Sequence, residues 1–116
     1  MTDRELLTLA AKAAGINTII WTESPRSKGQ TAGCIWNGVG PGDTAELWNP
    51  LTDDGDALRL AVKIGRSRTL QLVVGVGGAD CQFDHPLVTA FESGDDPYAA
   101  TRRAIVRAAA EIGRKM

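Results

Sequence analysis

Several groups of side chains in this 116-residue chain have the types and spacing to do chemistry. Arg103 and Arg107 stand four residues apart, a spacing that stacks two guanidinium groups on one helix face, where they can grip a phosphate or pyrophosphate. Arg114 continues that face and Arg102 lies nearer its side. The alternative is a solvated helix face on which Glu111 pairs Arg107. Cys81, Asp84 and His85 form a second group. Zinc calls for four ligands at paired spacings, which are absent, and a Cys–His pair close together on an extended segment points apart, so His85 reads as a turn residue before Pro86. A Cys81–His85 nucleophile pair remains the one catalytic option. Asp53-Asp54-Gly55-Asp56 lacks the alternating acids and distal Glu of a calcium loop, and helix capping accounts for it. The loop Gly38-Val39-Gly40-Pro41-Gly42-Asp43 would cradle a phosphate only with consecutive donors and a helix behind it; Pro41 removes a donor and no helix follows. No catalytic residue, metal site or cofactor is therefore expected, and the chain is read as a non-enzyme. The aromatic residues are few, and an exposed one could stack a base for about 1–3 kcal/mol; core packing is the expected role for most of them.

Elements must position these groups. Thr2-Asp3-Arg4-Glu5 fits a capping box, Leu6, Leu7, Ala10, Ala11 and Ala14 recur at helical spacing, and Gly15 suits the left-handed stop, so a helix is predicted from about Asp3 to Ala14. Ile16 to Trp21 and Thr31 to Trp36 read as strands separated by a turn-rich loop from Glu23 to Gln30. Ala45 to Trp48 suits a short extended piece. A second helix opens at a Thr52 cap with Asp53, Asp54 and Asp56 in its first turn, shows a stripe of Ala57, Leu58, Ala61, Val62 and Ile64, and stops at Gly65. Leu70, Leu72, Val74 and Val76 alternate as a strand with one buried face, and Gly77-Gly78-Ala79-Asp80 turns it into another near Cys81 to Phe83. Leu87 to Ser93 fits no single element. Asp96 caps the last helix with Pro97 at its first position, and Tyr98, Thr101, Ile105, Ala108 and Ile112 mark a core stripe. The fold class expected is α+β: a largely antiparallel sheet of about four strands covered by three helices, in the order α-β-β-α-β-β-α, as one domain over residues 1–116.

Thirteen Lys and Arg against fourteen Asp and Glu leave a net charge of -1. Such balance gives no whole-molecule pull toward DNA, RNA or an anionic membrane, so any anion site must be local. Two cysteines, Cys34 and Cys81, do not make a disulfide scaffold and read as buried thiols in strands. With no apolar leader and no run near the ~20 residues of a membrane span, a cytosolic protein is expected.

Trp48-Asn49-Pro50-Leu51 leading into Asp53-Asp54-Gly55-Asp56-Ala57-Leu58-Arg59-Leu60-Ala61-Val62, the closing Asp96-Pro97-Tyr98-Ala99-Ala100 with Arg102-Arg103-Ala104-Ile105-Val106, and the opening helix resemble the phage ABA-sandwich domain of small phage and prophage proteins. In size and layout the chain is also similar to the Thoeris anti-defence sponge family. That resemblance implies a non-enzymatic homo-oligomer in the bacterial host cytosol that binds and sequesters a cyclic nucleotide immune signal, of cyclic ADP-ribose type or a cyclic oligonucleotide, in pockets between subunits. It implies phosphates held by Arg103 and Arg107, with Phe83 or a tryptophan against the base. The alternative is a phage accessory protein that acts through protein–protein interaction.

Overall fold

In this computed structural model the described residues are 2–16, 19–23, 31–35, 46–84 and 87–116. The segments 24–30 and 36–45, with the glycine loop and Trp36, and residues 85–86, with His85, lie outside them.

The opening sequence folds as its capping residues dictate. Helix α1 spans Asp3–Ala13. Thr2 Oγ1 accepts from the Glu5 N–H at 3.2 Å, and Glu5 Oε2 accepts from the Thr2 N–H at 3.0 Å. Gly15, at φ 75°, turns the chain away. Strands β1 (Ile19–Glu23), β2 (Thr31–Ile35) and β3 (Glu46–Trp48) then form one antiparallel sheet in the order β1-β2-β3.

Helix α2 spans Asp54–Gly65. Its N-cap is Asp53, whose Oδ2 accepts from the Asp56 N–H at 2.8 Å, not the expected Thr52. Thr52 belongs instead to the preceding turn, where its N–H donates to the Asn49 carbonyl at 3.1 Å. Asp56 is buried and ties turn to helix: its Oδ2 accepts from the Asn49 N–H at 3.0 Å and its Oδ1 from Arg59 Nη2 at 2.7 Å.

Strands β4 (Leu70–Gly75), β5 (Gly78–Phe83) and β6 (Val88–Ser93) form a second antiparallel sheet in the order β4-β5-β6. Gly77, at φ 87°, closes the β4–β5 hairpin. Helix α3 spans Pro97–Lys115 behind the Asp96 cap, whose Oδ1 accepts from the Tyr98 and Ala99 N–H groups at 3.0 and 3.3 Å.

Among the described residues the class is α+β with antiparallel sheets and three helices, but six strands in two three-stranded sheets replace the expected sheet of about four. The extra strands are β3, only three residues long, and β6, whose Val88-Thr89-Ala90-Phe91-Glu92 mixes small, polar and aromatic residues. Neither length nor alternation marks such segments clearly.

Helix α3 is the hub, packing against α1, α2, β5 and β6. It buries Ala100, Ala104, Val106, Ala108, Ala109 and Ala110 along with Ile105 and Ile112, because small side chains let neighbours approach from several sides. Approach is closest at Gly113, where a Cβ would sit 2.0 Å from the Leu9 carbonyl oxygen. Three expectations about the core are corrected. Tyr98 is exposed rather than part of the stripe, and Leu72, Val74 and Val76 are exposed rather than forming a buried face. Both lie where the helix layer stops short of the β4 edge. On α2, Leu60 joins Ala57, Ala61 and Ile64 in the core, while Leu58 and Val62 face outward.

Candidate functional site

Arg103 and Arg107 do lie on one side of α3, and both line a groove of about 620 Å³ between α3, β6 and α1. Val88, Thr89, Ala90 and Glu92 of β6 make one wall, Leu6 of α1 contributes an apolar patch, and Ala110, Glu111 and Lys115 extend the α3 wall. The i, i+4 repeat of a helix puts 103, 107 and 111 in one row, and the period of two along a strand puts Val88, Ala90 and Glu92 on the sheet face beneath them.

Glu92 organises the two guanidinium groups. Its Oε1 accepts from Arg107 Nη1 and lies 3.7 Å from Arg103 Nε. Arg107 Nη1 also donates to the Phe91 carbonyl at 3.2 Å, and Arg103 Nη1 donates to Asp3 Oδ1 at 3.2 Å. The Phe91 carbonyl points off the free edge of β6: Gly94 N–H bonds to the Gly77 carbonyl, so position 94 faces β5, and by alternation 92, 90 and 88 do as well while 91 and 89 face outward. A guanidinium has five N–H donors. Among the described residues each of these arginines hydrogen-bonds through Nη1 alone, so each retains donors on a side chain 41 to 46% exposed. Glu111 pairs Arg114 rather than Arg107, its partner in the alternative of a solvated helix face. Lys115 has no ion-pair partner among the described residues.

Charge in the groove is closely matched. Three lining cations (Arg103, Arg107, Lys115) oppose two carboxylates (Glu92, Glu111), a net +1 that Asp3 at the rim offsets. An anion would therefore be held by directed hydrogen bonds rather than drawn in by a strong field.

Phe83 is not in this groove. Its side chain is 0% exposed, within the core between the second sheet and α3, and presents no face to a base. Inward-facing β5 residues alternate with outward ones, and Phe83 shares the inward set with Ala79 and Cys81. Among the residues whose burial is described, the exposed aromatics are Phe91, on the opposite sheet face from Glu92, and Tyr98 near the start of α3.

Cys81 is fully buried, and that burial, reinforced by the neighbouring Asp80 carboxylate, pushes its thiol up to about 12. The thiolate needed for nucleophilic attack is thus disfavoured there. Among the described residues no three His, Cys, Asp or Glu side chains gather as a metal site, and no helix is long and apolar enough to cross a membrane.

Sequence reasoning missed Glu92, which sits 15 residues from Arg107 and meets it only through the β6–α3 packing. It also missed the role of Arg102, whose Nε donates to the Leu51 carbonyl at 2.9 Å and whose Nη1 bonds Asp54 at 2.5 Å, stapling the Asn49–Pro50 turn to α3. No family model matches this chain, and neither a curated protein nor a solved structure matches it.

Proposed function

We propose that this protein is a non-catalytic binder of a phosphate-bearing nucleotide, a phage-type sandwich protein that sequesters a cyclic ADP-ribose-type or cyclic oligonucleotide immune signal in the bacterial cytosol. The observation that carries this reading is that Arg103 and Arg107 share one groove, with Glu92 beside both and Asp3 bonded to Arg103, and with guanidinium donors to spare. A phosphate would accept from both forks, and Lys115 would add a third cation at the far end.

Magnitudes limit what these residues do alone. Two charge-assisted contacts contribute about 3–6 kcal/mol. That corresponds to a dissociation constant from about millimolar to tens of micromolar, whereas nanomolar sequestration needs about 12 kcal/mol. The remainder requires base contacts and exclusion of water, and Phe83 supplies neither. Calorimetric titration with cyclic ADP-ribose isomers and cyclic oligonucleotides tests the reading. Saturable heat from one of them, weakened in Arg107→Gln, supports it; no heat from any of them removes it.

A protein-binding accessory is the second reading, and one observation favours it: an exposed apolar surface on the far side of α3, which includes Leu58, Leu72, Val74 and Tyr98.

A further inference from the structure

The second sheet has two edges, and they are protected differently. At β6 the outward Phe91 carbonyl is capped by Arg107, and Glu92 adds a charge to the strand. At β4 the strand reads Leu70-Gln71-Leu72-Val73-Val74-Gly75, six residues with no charge, no proline and no bulge against β5. Natural sheets guard exposed edges with such devices, and an edge that lacks them pairs with another strand. We infer that β4 is the seam of a homodimer, in which two copies pair their β4 strands antiparallel across a two-fold axis at Leu72.

Backbone directions fit this seam. The Asp84 N–H donates to the Thr69 carbonyl at 3.1 Å, so position 69 faces β5, and by alternation so do 71, 73 and 75. Leu70, Leu72 and Val74 therefore aim their N–H and C=O groups outward, where among the described residues no strand pairs with them. With the axis at Leu72, that residue meets its own counterpart, Leu70 meets Val74, and Gln71 meets Val73. Every directly opposed pair is apolar or neutral, so no like charges face each other.

Side chains fit it as well. Leu70, Leu72 and Val74 share the sheet face of the buried Ala79, Cys81 and Phe83, the face on which the helices lie. Beside them an apolar cavity of about 540 Å³ is lined by Leu58, Leu72, Val74, Tyr98 and Ile105, among others. A two-fold perpendicular to the sheet puts both helix layers on one side, so α2 of each copy would bring Leu58 and Val62 toward the other. Scaled by their exposures, Leu58, Val62, Leu72, Val74 and Tyr98 offer about 230–420 Å² of apolar side-chain surface per copy, taking about 60–120 Å² for a full Leu or Val and 150–250 Å² for an aromatic. The new strand ladder adds backbone surface to this, for an interface smaller than the roughly 800 Å² per partner of the standard class, in the range of weaker, concentration-dependent dimers. A self-complementary patch of this kind closes as a dimer instead of propagating.

The test is sedimentation of the full chain across a micromolar concentration series, with three variants. The wild type is expected as a species of twice 12.3 kDa. Val74→Lys, which sets two ammonium groups in the seam, is expected to raise the dimer dissociation constant on the order of 100-fold while the circular-dichroism spectrum stays folded. Should that variant not fold, cysteine cross-linking decides. Leu72→Cys faces itself at a Cα separation of about 5.5 Å, within disulfide reach, and is expected to give a covalent dimer on oxidation. Thr89→Cys at the β6 edge is not. A wild type that stays monomeric throughout the series, or a Thr89→Cys variant that cross-links as readily as Leu72→Cys, overturns the inference.

Discussion

On one flank of α3, Arg103 and Arg107 reach over β6 to Glu92 and the Phe91 carbonyl; on the other, Thr101, Arg102 and Ile105 face Leu58, Leu72 and Val74. Both flanks rise from the same alanine-rich helix, and each borders one edge of the same sheet. The polar flank meets its charges with countercharges and shields its strand edge. The apolar flank's edge has no strand partner among the described residues, and Arg102, the guanidinium that lines its cavity, is turned to the Leu51 carbonyl and Asp54. A helix of small residues thus acts as a spacer, and the residues at its borders decide what each side can receive. One side suits a ligand that needs directed donors, the other a surface that needs dehydration.

The contrast can be broken at its base. Phe83→Ala removes a fully buried ring beneath both flanks and is expected to cost about 4 kcal/mol in chemical denaturation. Refolded or stabilised, the same variant should bind ligand as the wild type does; a selective loss of affinity would return Phe83 to the site. Gly113→Ala forces a Cβ onto the Leu9 carbonyl and is expected to cost about 3 kcal/mol, loosening α1 and with it the Leu6 and Asp3 side of the groove. Leu58→Ser acts on the apolar flank alone. It should change monomer stability by no more than about 0.5 kcal/mol, because its side chain is 64% exposed, yet it should weaken self-association.

A smaller effect comes from Cys81. Its thiol is pushed up to about 12 from an ordinary 9.0, so the folded state holds a proton that the unfolded chain releases. The stability this contributes is complete below pH 9 and is lost as pH rises toward 12. Denaturation midpoints should fall over that range, and less steeply in Cys81→Ala.

Much of the fold was legible because it is written locally. The Thr2–Glu5 box, the Asp96–Pro97 start and the left-handed Gly15 each act within one turn of chain, and each stands where its residue type demands. What was not legible depends on partners distant in sequence. Whether the β4 alternation is buried depends on how far α2 and α3 reach, and they stop short. Tyr98 has stripe spacing but lies beyond the last layer that could cover it. The pairing of Arg103 and Arg107 followed from the helical period alone, whereas Glu92 required knowing that β6 exists and which way it faces. Phe83 was legible as an aromatic on a strand, but its inward direction was set by the β4–β5–β6 register.

In the proposed function Arg103 and Arg107 together contact phosphate in the groove. Side-chain Nε–H resonances, followed by NMR while inorganic pyrophosphate and then the panel nucleotides are added, report on it directly. Concerted, saturable shifts of Arg103 and Arg107, with Arg59 and Arg114 unmoved, are the predicted result. Shifts confined to Arg59 and Arg114, or none at all, would contradict it.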